Sequence, residues 1–584
     1  MRLILILPML VLMMTTGAFA VESASDRLRS LFQREWDWTM QQNPLWASSL
    51  GDRRWNDKWD DGSLAAVEAR NAHSLDVIKE LRAIERGPLS DADKLNYDLF
   101  LDQLQRGVEE NSFAWYLLPL NQRDGIQTAS TFADNLRFET VKDYEDYVAR
   151  LRAFPARVDQ TIEVMREGVR KRMAHPKVIM QRVPAQIEKQ IVDDPTKSDW
   201  FKPLANFPPA INEGDRKRLS AAASDALRDA VIPAYRKFGE FFAKEYLPAC
   251  LDEVGIWQLP RGDEMYAMFV RQYTTTQLTP DQVHELGLAE VKRINAEMDS
   301  VMQQTDFKGS RAEFFNFLRS DPRFFYKDGD ALLSGTRALC KRIDPKLTKL
   351  FKTLPRMPYG VEPIPMAVAP DTTTAYYNEP AADGSRAGTY YVNLYKPETR
   401  PKWEMVALTL HEAVPGHHLQ IARAMELGEL PNFRRYGGYT AYVEGWALYC
   451  EALGEEIGMY DDPYDRFGRL TYEMWRAVRL VVDTGIHAKH WTRQQAIDYF
   501  KANAAKTELD ITNEVDRYIA WPGQALAYKV GELKIKELRK RAEQKLGSKF
   551  DVREFHDLVL SQGAVPLDEL ERMVDRWIAS QSSR

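Results

Sequence analysis

The chain has 584 residues, 44% of them hydrophobic and 28% charged, with a formal net charge of −6. So much apolar sequence excludes a disordered chain and is enough to bury a sizeable core, which implies a large globular protein. Positive and negative residues are interleaved, leaving no basic footprint for nucleic acid, and the sequence holds neither an internal repeat nor a phosphate-binding loop.

At the N-terminus Arg2 precedes an apolar run from Leu3 to Met14, and Ala18-Phe19-Ala20 has the A-x-A pattern of a cleavage site. The run is shorter than the roughly 20 residues of a membrane span. Residues 1–20 are therefore expected to be a signal peptide, with a mature chain starting near Val21, without a membrane anchor, and exported to a bacterial periplasm or secreted. No cysteine lies near the cut, which speaks against a lipoprotein. Cys250, Cys340 and Cys450 allow at most one disulfide and leave at least one thiol over.

Long helical patterns follow, among them Thr140 to Met173 and Pro280 to Gln304, the latter with Thr279 as N-cap and Pro280 in the first turn. Asp193 to Pro203, continuing to Pro208-Pro209, is rich in loop formers and is expected to mark a hinge between helical layers. The chain is divided into an N-terminal helical region, 21–260, and a second region, 261–584, that carries the chemistry. Asp371 to Asn378 and Gly388 to Leu394 are rich in β-branched and aromatic residues and flank a turn-rich connection, Pro380 to Ala387. They predict a small β-sheet. An edge strand beside a catalytic site can pair with an extended substrate, which makes Tyr391 and Asn393 candidates for substrate binding; an ordinary hairpin is the alternative.

The next segment, His411-Glu-Ala-Val-Pro-Gly-His-His418, places three of nine histidines beside a glutamate. It is close to HExxH, in which two histidines four apart on one helical face hold zinc and the glutamate acts as general base. Here the fourth position after His411 is Pro415, and Pro415-Gly416 must distort or break the helix. A distortion that folds two extra residues out of the helix would bring His417 to the place of the second ligand. His411 and His417 are the expected ligands, Glu412 the general base, and His418 a neighbour or the alternative ligand.

A catalytic zinc site needs a third protein ligand and an open position. Tyr439 to Leu453 reads as a buried helix on which Glu444 and Glu451, seven apart, share a face. Two acids on a helix are ordinarily a solvated face, but Tyr442, Trp446, Leu448 and Tyr449 around them argue for burial. Glu444, followed by Gly445, which allows close approach, is the expected third ligand; Glu451 is expected to orient a ligand histidine.

The strings HEAVPGHHLQ, EGWALYCE, RLVVDTGIH and WPGQALAYKVGELKI, in this order, resemble those of the bacterial domain of unknown function 885 family (DUF885), from about Leu259 to the C-terminus. Its members resemble helical gluzincin peptidases. The resemblance implies a mainly α fold similar to thimet oligopeptidase, carboxypeptidase Taq and angiotensin-converting enzyme. In that fold a large helical body is split by a deep channel, with one zinc on its floor. Those peptidases carry an uninterrupted HExxH, from which this chain departs.

Hydrolysis of a carbonyl compound creates an oxyanion that needs donors beyond a metal, and the peptidases that this chain resembles use tyrosine and histidine after the third ligand. His487 and Tyr528 are the candidates, with Asp483, four residues before His487, to orient its imidazole, and Tyr518 competing with Tyr528. A structural role for His487 is the other reading. Arg476, Arg479 and Arg517 are candidates to hold a substrate carboxylate, Arg479 first among them, although a surface salt bridge is the commoner role of such arginines. The expected activity is that of an exported zinc metallopeptidase acting on short peptides. The alternatives are a zinc hydrolase of small non-peptide amides or esters and a non-catalytic, zinc-containing helical binding protein.

Overall fold

The computed structural model of the protein describes residues 22–366, 369, 373–380, 386–428 and 430–582; the expected signal peptide, Asp371, Thr372 and the connection 381–385 lie outside them. Helices start where side chains can cap them. Thr140 and Thr279 each accept a hydrogen bond from the backbone N–H three residues on, while Asp143 and Gln282 reach back to the cap, which closes two capping boxes.

In chain order the elements that matter are α1 (Ala24–Gln42), α2 (Pro44–Ser49), α3 (Val141–Arg170), α4 (Gly262–Thr274) and α5 (Pro280–Met302). Then come β1 (Tyr359–Pro363), β2 (Ala375–Asn378) and β3 (Gly388–Val392). Helices α6 (Lys402–Glu412), α7 (His417–Glu426), α8 (Asn432–Arg435), α9 (Thr440–Glu456), α10 (Pro463–Ala488), α11 (Glu508–Ala520) and α12 (Ala527–Leu546) complete the set. The fold is mainly helical with one small sheet.

The Asp193–Pro203 stretch differs from the expected open loop. It folds into short turns, buries Trp200 completely, and is held by Tyr147, whose hydroxyl donates to the Trp200 carbonyl at 2.6 Å. One apolar core joins Leu117 and Val164 to Met265, Leu410 and Trp446; a second joins Phe154 and Trp200 to Met474 and Val481. All three cysteines are free and buried. Among the described residues no helix is long and apolar enough to cross a membrane.

The sheet order is β1-β3-β2, with β3 parallel to β1 and antiparallel to β2. The strand expected at an edge is therefore central. Its backbone is paired on both sides, so Gly388–Val392 has no free ladder for an extended substrate, and the edges are β1 and β2.

Helices α9 and α12 touch backbone to backbone. A Cβ on Gly531 would lie 1.9 Å from the Ala441 carbonyl oxygen, and one on Gly445 2.5 Å from Gly531 Cα. The small residue after Glu444 thus serves a helix crossing. Beside it the fully buried Lys529 ammonium lies 2.7 Å from Glu473, 2.6 Å from Glu532 and 3.0 Å from Glu290, tying α12 to α10 and α5.

Gly531→Val is expected to force the two helices apart and lower stability by about 3 kcal/mol or more, as overpacking against rigid backbone does. Gly360→Ala, whose added Cβ meets nothing within 4 Å, is the control. Equal denaturation midpoints for the two variants would contradict the crossing.

Candidate functional site

Helix α6 ends at Glu412, and Ala413 to Gly416 form a break before α7 restarts at His417. Four residues leave the helix rather than the two that the spacing suggested. Proline at 415 removes a helix donor, and its peptide bond with Val414 is cis. Gly416 packs so tightly that a Cβ would lie 1.9 Å from the His411 carbonyl oxygen. The break is braced from α9, where the Trp446 indole N–H donates to the Pro415 carbonyl at 2.9 Å. As a result the His411 and His417 rings meet edge to face, with centroids 4.8 Å apart.

Glu444 rises from α9 to meet them. Its Oε2 lies 3.6 Å from the Nε2 atoms of both His411 and His417, beyond hydrogen-bond length. Among the described residues, Glu444 Oε2 and His417 Nδ1 are buried without a hydrogen-bond partner. Among the described residues His411, His417 and Glu444 form the one set of three or more such side chains that could hold a metal ion, with one ligand atom from each and all within 4.8 Å of one another. Glu451, two turns along α9, accepts from His411 Nδ1 at 2.8 Å and so directs Nε2 at Glu444. Arg476 lies 3.7 Å behind Glu451.

The electrostatics follow from burial and from the excess of carboxylates. Burial alone would depress His411, but Glu444 and Glu451 outweigh it and raise its pKa to about 9. Burial would raise Glu444, yet the two imidazoles hold it down at about 2. His417 is pushed down to about 4, chiefly by burial. Glu412 rises to about 7 because it is buried and near Glu444, against the opposing pull of His411. Among these groups it alone is poised near neutrality.

His418 is not brought to the cluster. Its Nε2 is 3.0 Å from the Met357 carbonyl, so it donates there, and its Nδ1 accepts from the Tyr377 hydroxyl at 2.9 Å. His487 likewise has both nitrogens committed, donating from Nε2 to the Tyr518 carbonyl at 3.0 Å and accepting from the Ile256 N–H at Nδ1 at 3.1 Å. It is a structural histidine, and the oxyanion role expected of it is withdrawn. Asp483 does not orient it; it accepts from the Tyr266 hydroxyl at 2.6 Å and from the Gly523 N–H at 3.1 Å, fixing the turn before α12.

Tyr528, in the first turn of α12, is close enough to the cluster for Glu444 to help burial raise its pKa. The competing Tyr518 is consumed elsewhere: fully buried, it donates to Glu514 at 2.9 Å and accepts from Arg479 at 3.1 Å. Arg479 is 6% exposed, paired with Glu514 at 3.1 Å and stacked 4.5 Å over the Tyr528 ring, and Arg517 holds Glu514 at 2.9 Å. Enclosed and paired with Glu514, Arg479 packs on Tyr528 and keeps one nitrogen, Nη1, buried without a hydrogen-bond partner.

Asn393 is fully buried and donates to the Ala369 and Thr373 carbonyls, so it staples a loop and cannot bind substrate. Tyr391 stacks on Tyr376 at 5.0 Å, and strand alternation turns it away from the face that the buried Tyr390 presents to α6 and Glu412. The bracing by Trp446 was missed although it stands in the EGWALYCE string; the cue was an indole donor that a buried site must satisfy.

A family model described as "Bacterial protein of unknown function (DUF885)" matches residues 44–574. No curated protein matches the chain. Among solved structures, the crystal structure of a "putative lipoprotein" from Colwellia psychrerythraea shares 32% identity at a TM-score of 0.89, covering 96% of this chain and 100% of that one. A "putative lipoprotein of unknown function" from Shewanella oneidensis shares 18% identity at a TM-score of 0.73, covering 95% of this chain and 100% of that one, and shows the fold alone.

The charge pattern is open to measurement in the metal-free protein. Glu451→Gln removes one of the three carboxylates, Glu444, Glu451 and Glu412, that hold the His411 pKa up, so that value should fall from about 9, by about one unit or more. An NMR titration of the His411 ring that shows no change would refute the pairing.

Proposed function

This chain belongs to the DUF885 family of bacterial proteins of unknown function, and we propose that it is an exported zinc-dependent hydrolase that cleaves short peptides. The observation that carries the reading is the convergence of two imidazoles and one carboxylate on a shared space, with a separate glutamate of near-neutral pKa beside them.

The donor set fits zinc. Two histidines and a glutamate with an open fourth position are a catalytic ligand set, and imidazole ligands favour zinc over magnesium or calcium. The 3.6 Å separations are close to the roughly 3.4 Å edge of a tetrahedron with bonds of about 2.1 Å. The orphaned Glu444 Oε2 is further support, because a buried polar atom without a partner is costly. When bound, zinc supplies Lewis-acid polarisation of a carbonyl and acidification of a water.

The chain's own groups then have distinct tasks. Glu451 locks the His411 tautomer. Glu412, which is not in the ligand set, takes a proton from the attacking water and returns it to the departing amine, while the water oxygen adds to the carbonyl carbon and the C–N bond breaks. Tyr528 offers its O–H to the oxyanion, and Arg479 holds the ring in place. Export is supported by the N-terminal apolar run and by relatives described as lipoproteins.

Elemental analysis is expected to find one zinc per chain, lost in His411→Ala and Glu444→Ala and kept in His418→Ala. Zinc retained by the first two variants would sink the ligand set. Glu412→Gln should keep the metal and slow peptide hydrolysis by roughly 10²–10⁴-fold, the usual worth of a general base.

Metal binding should also be proton-linked. In the metal-free protein His411 is protonated below about pH 9, and a ligand imidazole must be neutral. At least one proton is therefore released per zinc bound at neutral pH, and affinity climbs about tenfold per pH unit until His411 has lost its proton. Calorimetry in buffers of different ionisation enthalpy measures this number; zero would contradict the charge state of the site.

A further inference from the structure

A cavity of about 360 Å³ lies along α7 from His417, walled by α7, by the segment from α8 to the start of α9, and by the end of α2 from the N-terminal region. Its α7 wall carries Gln420, Ile421 and Met425, which lie three, four and eight residues after His417 and so extend the face of the ligand histidine. The cavity therefore begins roughly 5 Å along the helix from His417.

Its lining is basic and unsatisfied. Arg434 is 9% exposed, and its partners are neutral: the Asn96 side-chain oxygen at 2.7 Å and the Gln562 carbonyl. Its Nε has no hydrogen-bond partner. Arg435 donates to the Gly428 carbonyl at 3.2 Å. Among the described residues neither arginine has a carboxylate within salt-bridge reach, and the one acid in the wall, Glu379, is raised by burial and faces Arg386. A guanidinium buried among neutral partners is costly, and an incoming carboxylate relieves it with paired hydrogen bonds.

A second unpartnered group points to the same class of ligand. Gln420 is 3% exposed, and its Oε1 has no donor. A bare anion without a donor, such as sulfate, satisfies the arginines and leaves this acceptor empty. The C-terminal residue of a peptide satisfies both, through its carboxylate and its backbone N–H, and its side chain meets Trp46, Ile421 and Met425.

We propose that this cavity is the subsite for the C-terminal residue of the substrate, with its carboxylate held by Arg434 and Arg435 and its N–H by Gln420. The substrate class rests on the hydrolase reading, and under it cleavage releases short fragments from the C-terminal end.

The test is equilibrium binding to the full-length, metal-free protein, which does not depend on turnover. N-acetyl-phenylalanine should bind saturably, and its C-terminal amide about tenfold or more weakly, because the charge-assisted bonds are lost. Arg435→Gln, at a partly exposed position, should weaken the acid to the level of the amide, with folding checked by circular dichroism. Gln420→Leu should weaken acid and amide alike. Equal binding of acid and amide, acid binding untouched by Arg435→Gln, or sulfate binding as tightly as the acid would overturn the proposal. Intact acid selectivity in a zinc-loaded protein that hydrolyses no peptide would support the subsite and overturn the hydrolase reading alone.

Discussion

The arrangement of the site depends on the helix break at Ala413–Gly416. In a continuous helix, residues 411 and 417 would stand roughly 9 Å apart along the axis, on different sides of it. With the break, their rings are 4.8 Å apart. Holding a helix open inside a protein requires that the freed backbone be satisfied. The chain meets this need from within: the His418 N–H bonds the Ala413 carbonyl at 3.1 Å, and Trp446 donates to Pro415. Gly416 supplies the closeness that no side chain would permit.

The second constraint is the contact of α9 with α12. Gly445 and Gly531 let two backbones meet, and this contact sets the residues that flank it. Glu444 faces the histidines from one side of the crossing, and Tyr528 comes from the turn before Gly531. The buried Lys529 cluster pins the same turn to α10, which brings Arg476 and Arg479 alongside. The histidine–glutamate cluster, the Tyr528 hydroxyl and their supports are thus placed by helix packing, and rigid elements hold such groups more closely than loops do.

Charge is sorted into two neighbouring layers. Nearest the histidines lie Glu412, Glu444 and Glu451, which favour a cation there. One layer out, the single carboxylate of Glu514 is shared by Arg479 and Arg517 next to Tyr528. Arg434 and Arg435, which have no carboxylate within salt-bridge reach among the described residues, stand apart in the cavity beyond α7.

Much of the centre was legible in the chain because helical periodicity converts spacing into direction. His411 and Glu412 before a Pro-Gly break, and Glu444 seven residues before Glu451, predicted which groups converge and which of them orients His411. The choice between His417 and His418 was open, since adjacent residues differ by about 100° around a helix and only the path of the break decides which one points inward. It turned His418 to Met357 and Tyr377. Partners distant in sequence were equally hidden: His487 is satisfied by backbone groups 31 and 231 residues away, and β3 is central because β1 pairs with its other side. Local sequence determined the elements and the faces they present; tertiary packing decided which polar atoms were left without a partner, because satisfaction of a buried group depends on neighbours that no local pattern encodes.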